Sequence, residues 1–132
     1  MRELLLGIDA GGGGIRALVL DPERGPLASA RRAWAYRPAP GTAGMGLDLD
    51  LDAAWRAIVE AARDALARAG AAPEAVAGVA ASAMRFATVV VAADGTPSFA
   101  APNRDGRAAA ACAELLPEGQ ALHARTGHGP TP

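Results

Sequence analysis

A single cysteine, Cys112, occurs in 132 residues, which excludes an intrachain disulfide. Lysine is absent: all 13 basic residues are arginine, and beside 35 alanines and 16 glycines this reads as coding bias rather than function. Aromatic residues number five, and alanine makes up more than half of the 51% apolar fraction, so large core side chains are in thin supply. An excess of one charge is also missing. Thirteen basic residues against 14 acidic ones leave a net charge of −1, and no run of like charge exceeds two, which argues against nucleic acid or a membrane surface as a partner recruited by bulk charge. No apolar run is long enough to span a bilayer, and the N-terminus lacks an export signal, so a cytoplasmic protein is expected. There is no internal repeat, and the length suits one domain rather than two.

What is present is a readable order of elements. Residues 4–9 form a short apolar run ending in Asp9 and four glycines, and residues 15–20 resume with apolar and β-branched side chains, which predicts strand, tight turn, strand. After the turn at Asp21-Pro22-Glu23-Arg24-Gly25, residues 27–36 are polar enough on one side for a third strand near an edge, giving an antiparallel meander. Residues 38–46, with two prolines and three glycines, predict a loop. A helix over residues 52–69 follows from the spacing of Trp55, Ile58, Val59, Ala62, Leu66 and Ala69, with Asp52 as N-cap, Gly70 as stop and Pro73 beyond. Its apolar face is expected on the sheet, Trp55, Ile58, Val59 and Leu66 included. Residues 77–81 read as a parallel strand returning to the sheet, and residues 88–91 and 97–100 as a hairpin around Asp94-Gly95. Residues 107–116 predict a second helix stopped by Pro117, with no further element after it. Together these indicate a mixed α/β sheet.

Three segments could carry chemistry. The first is Asp9-Ala10-Gly11-Gly12-Gly13-Gly14-Ile15-Arg16. Successive glycines let backbone N–H groups converge on an anion, Asp9 could position a metal-bound water, and Arg16 could add a charge-assisted contact of about 1.5–3 kcal/mol. The plain alternative is a flexible hairpin with an arginine in solvent. The pattern is neither a Walker loop nor a Rossmann loop. The second is Ser82-Ala83-Met84-Arg85-Phe86 at a strand end, where side chains line clefts, although Met84 and Phe86 also suit a core and Arg85 a solvated surface. The third is Asn103-Arg104-Asp105-Gly106-Arg107, whose amide and carboxylate could recognise vicinal hydroxyls or simply cap a helix. His123 and His128 lack a third ligand nearby for zinc, and Cys112 reads as packed rather than reactive.

Taken in this order, the segments resemble the N-terminal part of the FGGY carbohydrate kinases. The residues that carry the resemblance are Gly7-Ile8-Asp9-Ala10-Gly11 with Arg16, Gly46-Leu47-Asp48-Leu49-Asp50 before Trp55, and Ala81-Ser82-Ala83-Met84-Arg85. It continues through Asp94-Gly95-Thr96-Pro97 and Asn103-Arg104-Asp105-Gly106-Arg107-Ala108 to Thr126-Gly127. Within the family the pattern is closest to the autoinducer-2 kinase type. The resemblance implies a ribonuclease H-like α/β domain of the actin, Hsp70 and hexokinase superfamily: a three-strand antiparallel meander plus a parallel strand with packed helices, incomplete. Residues 1–132 would form the N-terminal part of the first, sugar-binding domain, with the second domain and the general base elsewhere. It further implies ATP and Mg2+ as cofactors and phosphoryl transfer to a small-molecule sugar or polyol, and leaves room for a homo-oligomer. Asp9, Gly11, Gly12, Gly13 and Arg16 would grip the nucleotide phosphates, Asp9 near the metal. Met84, Arg85, Asn103, Arg104 and Asp105 would contribute to the sugar pocket. Family members usually carry threonine or serine in the hairpin where this chain has Gly12, Gly13 and Gly14. That departure keeps two other readings open, a noncatalytic kinase-like sensor or interaction module and an enzyme of the N-acetylhexosamine or acetate-kinase-like groups.

Overall fold

The structure is a computed structural model and describes residues 3–131. Its centre is a sheet whose first three strands, β1 (Leu4–Gly11), β2 (Gly14–Asp21) and β3 (Gly25–Ala33), form the expected antiparallel meander. Alternation along the strands makes the core: Leu4, Leu6, Ile15, Ala17, Val19 and Ala30 share one face and are buried. Asp21 closes the β2–β3 turn by accepting from the Glu23 and Arg24 N–H groups at 2.9 and 3.2 Å. The third strand ends at Ala33, earlier than the sequence suggests.

The segment expected as a loop is pinched at its ends by two short strands, β4 (Arg37–Pro38) and β5 (Leu47–Asp48). Helix α1 (Leu51–Ala69) follows. Its N-cap is Asp50, whose Oδ1 accepts from the Ala53 N–H at 2.9 Å, so the cap falls two residues before the Asp52 expected, and Asp52 sits in the first turn where a carboxylate favours the helix dipole. Gly70 ends the helix in the left-handed conformation, as expected. The helix lies over β2 and β3 through Ala54, Ala61, Ala65 and Leu66, with Ile58 packed beside them. Arg32 of β3 reaches Asp64 and, at 3.4 Å, Glu60 across this interface.

Trp55 corrects the sequence expectation, because it is 66% exposed. At about 100° per residue Trp55 and Leu66 share a flank of the helix, yet Leu66 is only 7% exposed. The difference therefore lies along the helix: this flank is covered at its C-terminal end and open at its N-terminal end.

Strand β6 (Val76–Ala83) returns parallel to β1, giving the order β3-β2-β1-β6. Strands β7 (Thr88–Val91) and β8 (Pro97–Ala101) form the expected hairpin, which is tied to the chain before α1 by the Leu49 N–H donating to the Ala100 carbonyl at 3.0 Å. Helix α2 (Ala109–Leu115) runs into a 3-10 turn at Leu116–Glu118 and then α3 (Gly119–Thr126). Pro117 thus does not end the helical path: it sits within the first turn of a new segment, where its missing N–H costs no bond.

Candidate functional site

Asp9 stands near the end of β1, directly opposite Arg16 on β2 and beside Ser82 on β6. These three side chains form a row on the sheet face away from α1. The Arg16 guanidinium is 3.6 Å from Asp9 Oδ2, and the Ser82 hydroxyl donates to Asp9 Oδ1 at 3.3 Å. Both members of the ion pair are about half exposed, at 50 and 55%, so neither partner consumes the carboxylate.

Between them the chain turns at Gly12 and Gly13. Gly14 is required by close approach, since at φ +150° a Cβ there would fall 2.2 Å from the Arg32 carbonyl oxygen. A Cβ on Gly13 would meet only open space. Among the described residues neither the Gly12 nor the Gly13 N–H has a hydrogen-bond partner. A pocket of about 340 Å³ opens here, lined by Asp9, Gly11, Gly13, Gly14 and Arg16. Free amides at a glycine turn with a guanidinium beside them suit an anion with several oxygens. Asp9 is the carboxylate at hand for a cation bound to that anion.

The second and third segments meet this hairpin at Gly12. The Met84 N–H donates to the Ala10 carbonyl at 2.8 Å, which carries the end of β6 alongside the hairpin. Asn103 Oδ1 lies 3.1 Å from where a Gly12 Cβ would be. Tyr36 donates its hydroxyl to the Gly12 carbonyl and stands 3.8 Å from the Met84 sulfur. Sequence reasoning missed Tyr36, because nothing local marks a residue whose partners lie 24 and 48 positions away.

The remaining predicted residues divide. Arg85 is exposed and lies over the Phe86 ring at 5.7 Å. Phe86 is not core: it is 72% exposed, with φ +63°, a conformation that strains a bulky side chain. Arg104 is exposed. Asp105, whose side chain is 11% exposed, is turned to the chain's own groups. Its Oδ1 accepts from the Leu47 N–H at 2.7 Å, and both its oxygens accept from Arg107 Nε at 2.9 and 2.8 Å. Burial works against its charged form, but the Leu47 N–H and Arg107 outweigh this and hold the carboxyl below its ordinary value of 3.8.

Arg107 stands in the third segment, but the sequence gives it no role of its own there. Beyond Asp105 it donates to Asp48 Oδ1 at 2.6 Å and to the Leu47 carbonyl at 2.8 Å, with its guanidinium 4.8 Å from the Phe99 ring centre. Asp48 first, then Asp105, hold that guanidinium more firmly charged than usual. One arginine thus fastens β5 to the segment that carries Asn103. Beside this latch a hollow of about 250 Å³ is lined by Phe86, Phe99, Asn103, Asp105 and Arg107.

No family model matches the chain. The autoinducer-2 kinase of Escherichia coli strain SMS-3-5 is 40% identical over 111 residues, which are 84% of this chain and 21% of that protein. Among solved structures, a xylulose kinase from Brucella ovis superposes on 97% of this chain and 26% of its own, with a TM-score of 0.76 and 25% identity. A xylulose kinase from Rhodospirillum rubrum does so over 98 and 26%, with a TM-score of 0.79 and 24% identity, a likeness of fold. The chain therefore spans about a fifth of the length of the curated relatives it matches. Over most of its length the chain matches the FGGY-family sugar kinases, most consistently the autoinducer-2 kinases, on the mixed α/β fold of the actin, Hsp70 and hexokinase superfamily.

Proposed function

We propose that this chain supplies the phosphate-facing hairpin and one wall of the acceptor pocket of an ATP-dependent carbohydrate kinase, which transfers the γ-phosphoryl group to a hydroxyl of a sugar or polyol. The observation that carries this reading is the meeting at Gly12: the glycine turn, the strand end with Met84 and the loop with Asn103 come together from three distant parts of the chain. Phosphoryl transfer needs such convergence, because the donor phosphate and the acceptor hydroxyl must be held within reach of each other. When bound, ATP supplies the phosphoryl group and Mg2+ offsets its charge. Asp9 would stand towards the metal, the Gly12 and Gly13 amides and Arg16 would orient the phosphates, and Met84, Arg85, Asn103 and Arg104 would face the acceptor. Asp105 belongs to the same wall as a positioning residue, since its oxygens already serve Leu47 and Arg107.

On this reading residues 1–132 are the N-terminal part of the sugar-binding domain of a longer protein, and the general base lies in the remainder. The test is ATP consumption by that longer kinase with a panel of ketoses, polyols and the autoinducer-2 precursor. Asp9→Asn should lower kcat for every acceptor, because it acts on charge shared by all of them, whereas Met84→Ala should raise KM for the sugar and leave the nucleotide KM nearly unchanged. The 132-residue chain by itself should give no turnover. Absence of nucleotide binding by the longer protein in titration would instead favour the sensor reading, towards which the hydroxyl-free hairpin leans.

A further inference from the structure

On the sheet face away from α1, Arg16 and Arg31 are direct cross-strand partners. Side chains so placed stand about 4.5–5.5 Å apart at Cβ, where like charges destabilise the pairing. Little nearby offsets this. Asp9 approaches Arg16 at 3.6 Å, but Arg31 has no ion-pair partner among the described residues. Its neighbour Arg32, on the other face, is by contrast met by both Glu60 and Asp64. Arg31 and Arg16 line the pocket of about 340 Å³ together with Asp9, Gly13, Gly14 and Arg32, the last already paired with carboxylates. The Gly13 amide of the turn, which lacks a partner, borders the same pocket. Two opposed guanidinium groups and a free N–H group around one opening form an arrangement that a polyanion would relieve.

We infer that Arg31, acting with Arg16, contacts the phosphate chain of the nucleotide, so that β3 supplies the contact a hydroxyl would make in the hairpin. The identity of the anion as a nucleotide rests on the kinase reading above; the polyphosphate site itself does not. The contact is a charge-assisted hydrogen bond from an exposed side chain, and its loss should weaken binding by about tenfold. A second consequence has the opposite sign. With the anion absent, removing one of two opposed positive charges should relieve repulsion, so Arg31→Gln should melt at the same temperature as the parent chain or slightly higher.

The experiment uses inorganic tripolyphosphate with the full chain, read by calorimetric titration and by the shift in melting temperature, for the parent, Arg31→Gln and Arg63→Gln. Arg63 is an exposed arginine on the outer side of α1, away from the pocket. The inference expects tripolyphosphate to bind the parent and Arg63→Gln alike, and Arg31→Gln about tenfold more weakly with a smaller ligand-induced shift. Equal binding by Arg31→Gln overturns it and leaves the kinase reading untouched. Equal weakening by Arg63→Gln overturns it as well, since bulk charge would then be the cause. No binding by the parent overturns it too, and the kinase reading is then decided separately, by turnover of the longer enzyme.

Discussion

At Arg107 one side chain holds together pieces of backbone that sequence keeps about 60 residues apart. Its planar fork is what allows this, because it meets Asp105, Asp48 and the Leu47 carbonyl at once while its face lies on Phe99. Arg107→Ala should destabilise the chain by about 1.5–3 kcal/mol in chemical denaturation, and Arg107→Lys should recover little of it, since a point charge cannot make the same set of bonds. The Asp105 carboxyl gives the latch a pH dependence. Its value is depressed in the folded chain, so its contribution is complete above the ordinary 3.8 and is lost as pH falls through the folded value. Acid titration of stability in Asp105→Asn should therefore lack that part of the loss. The sequence displayed the residues of this latch within one short motif but not their partners. Asp105 offered an acceptor either to a ligand or to the chain, and only the position of β5 decides that Leu47 and Arg107 take it.

At the level of elements, local pattern was enough for the meander, the parallel return of β6, the β7–β8 hairpin and the left-handed stop at Gly70, because each rests on period, turn residues or a cap within a few positions. What pattern could not supply was which part of a helical flank the rest of the chain covers. Leu66→Ala should cost about 2–5 kcal/mol, while Trp55→Ser, although it removes a far larger side chain, should change stability by less than about 0.5 kcal/mol. Thermal or urea unfolding of the two variants checks this ordering. The glycine hairpin shows the same dependence on neighbours. Gly14→Ala places a methyl group against the Arg32 carbonyl and should disrupt the β2–β3 pairing, which loss of amide-exchange protection in β3 would report. Gly13→Ser meets open space and should fold normally, and its hydroxyl should tighten phosphate binding by about 0.5–1.5 kcal/mol.

At the scale of the whole molecule, cover is uneven. One side of the sheet has α1 over β2 and β3, whereas Val79 of β6 and Val89, Val90 and Val91 of β7 are exposed, and β6 is an edge of its sheet. Among the described residues no helix is long and apolar enough to cross a membrane. The class of fold was legible because it depends on the order of strands and helices. The convergence at Gly12 was not, since Tyr36, Met84 and Asn103 carry no mark in sequence of meeting there. That convergence has a thermodynamic consequence. The turn's Gly12 carbonyl is held by the Tyr36 hydroxyl, two residues from the Ala10 carbonyl that takes the Met84 N–H, so the two proposed sites share a mechanical link. In the proposed kinase, nucleotide and sugar should therefore change each other's affinity by one and the same factor, as linkage demands of any two sites joined by an energy of interaction. Tyr36→Phe, which deletes the link to the Gly12 carbonyl and little else, should draw that factor towards unity in paired binding titrations while each ligand, alone, still binds.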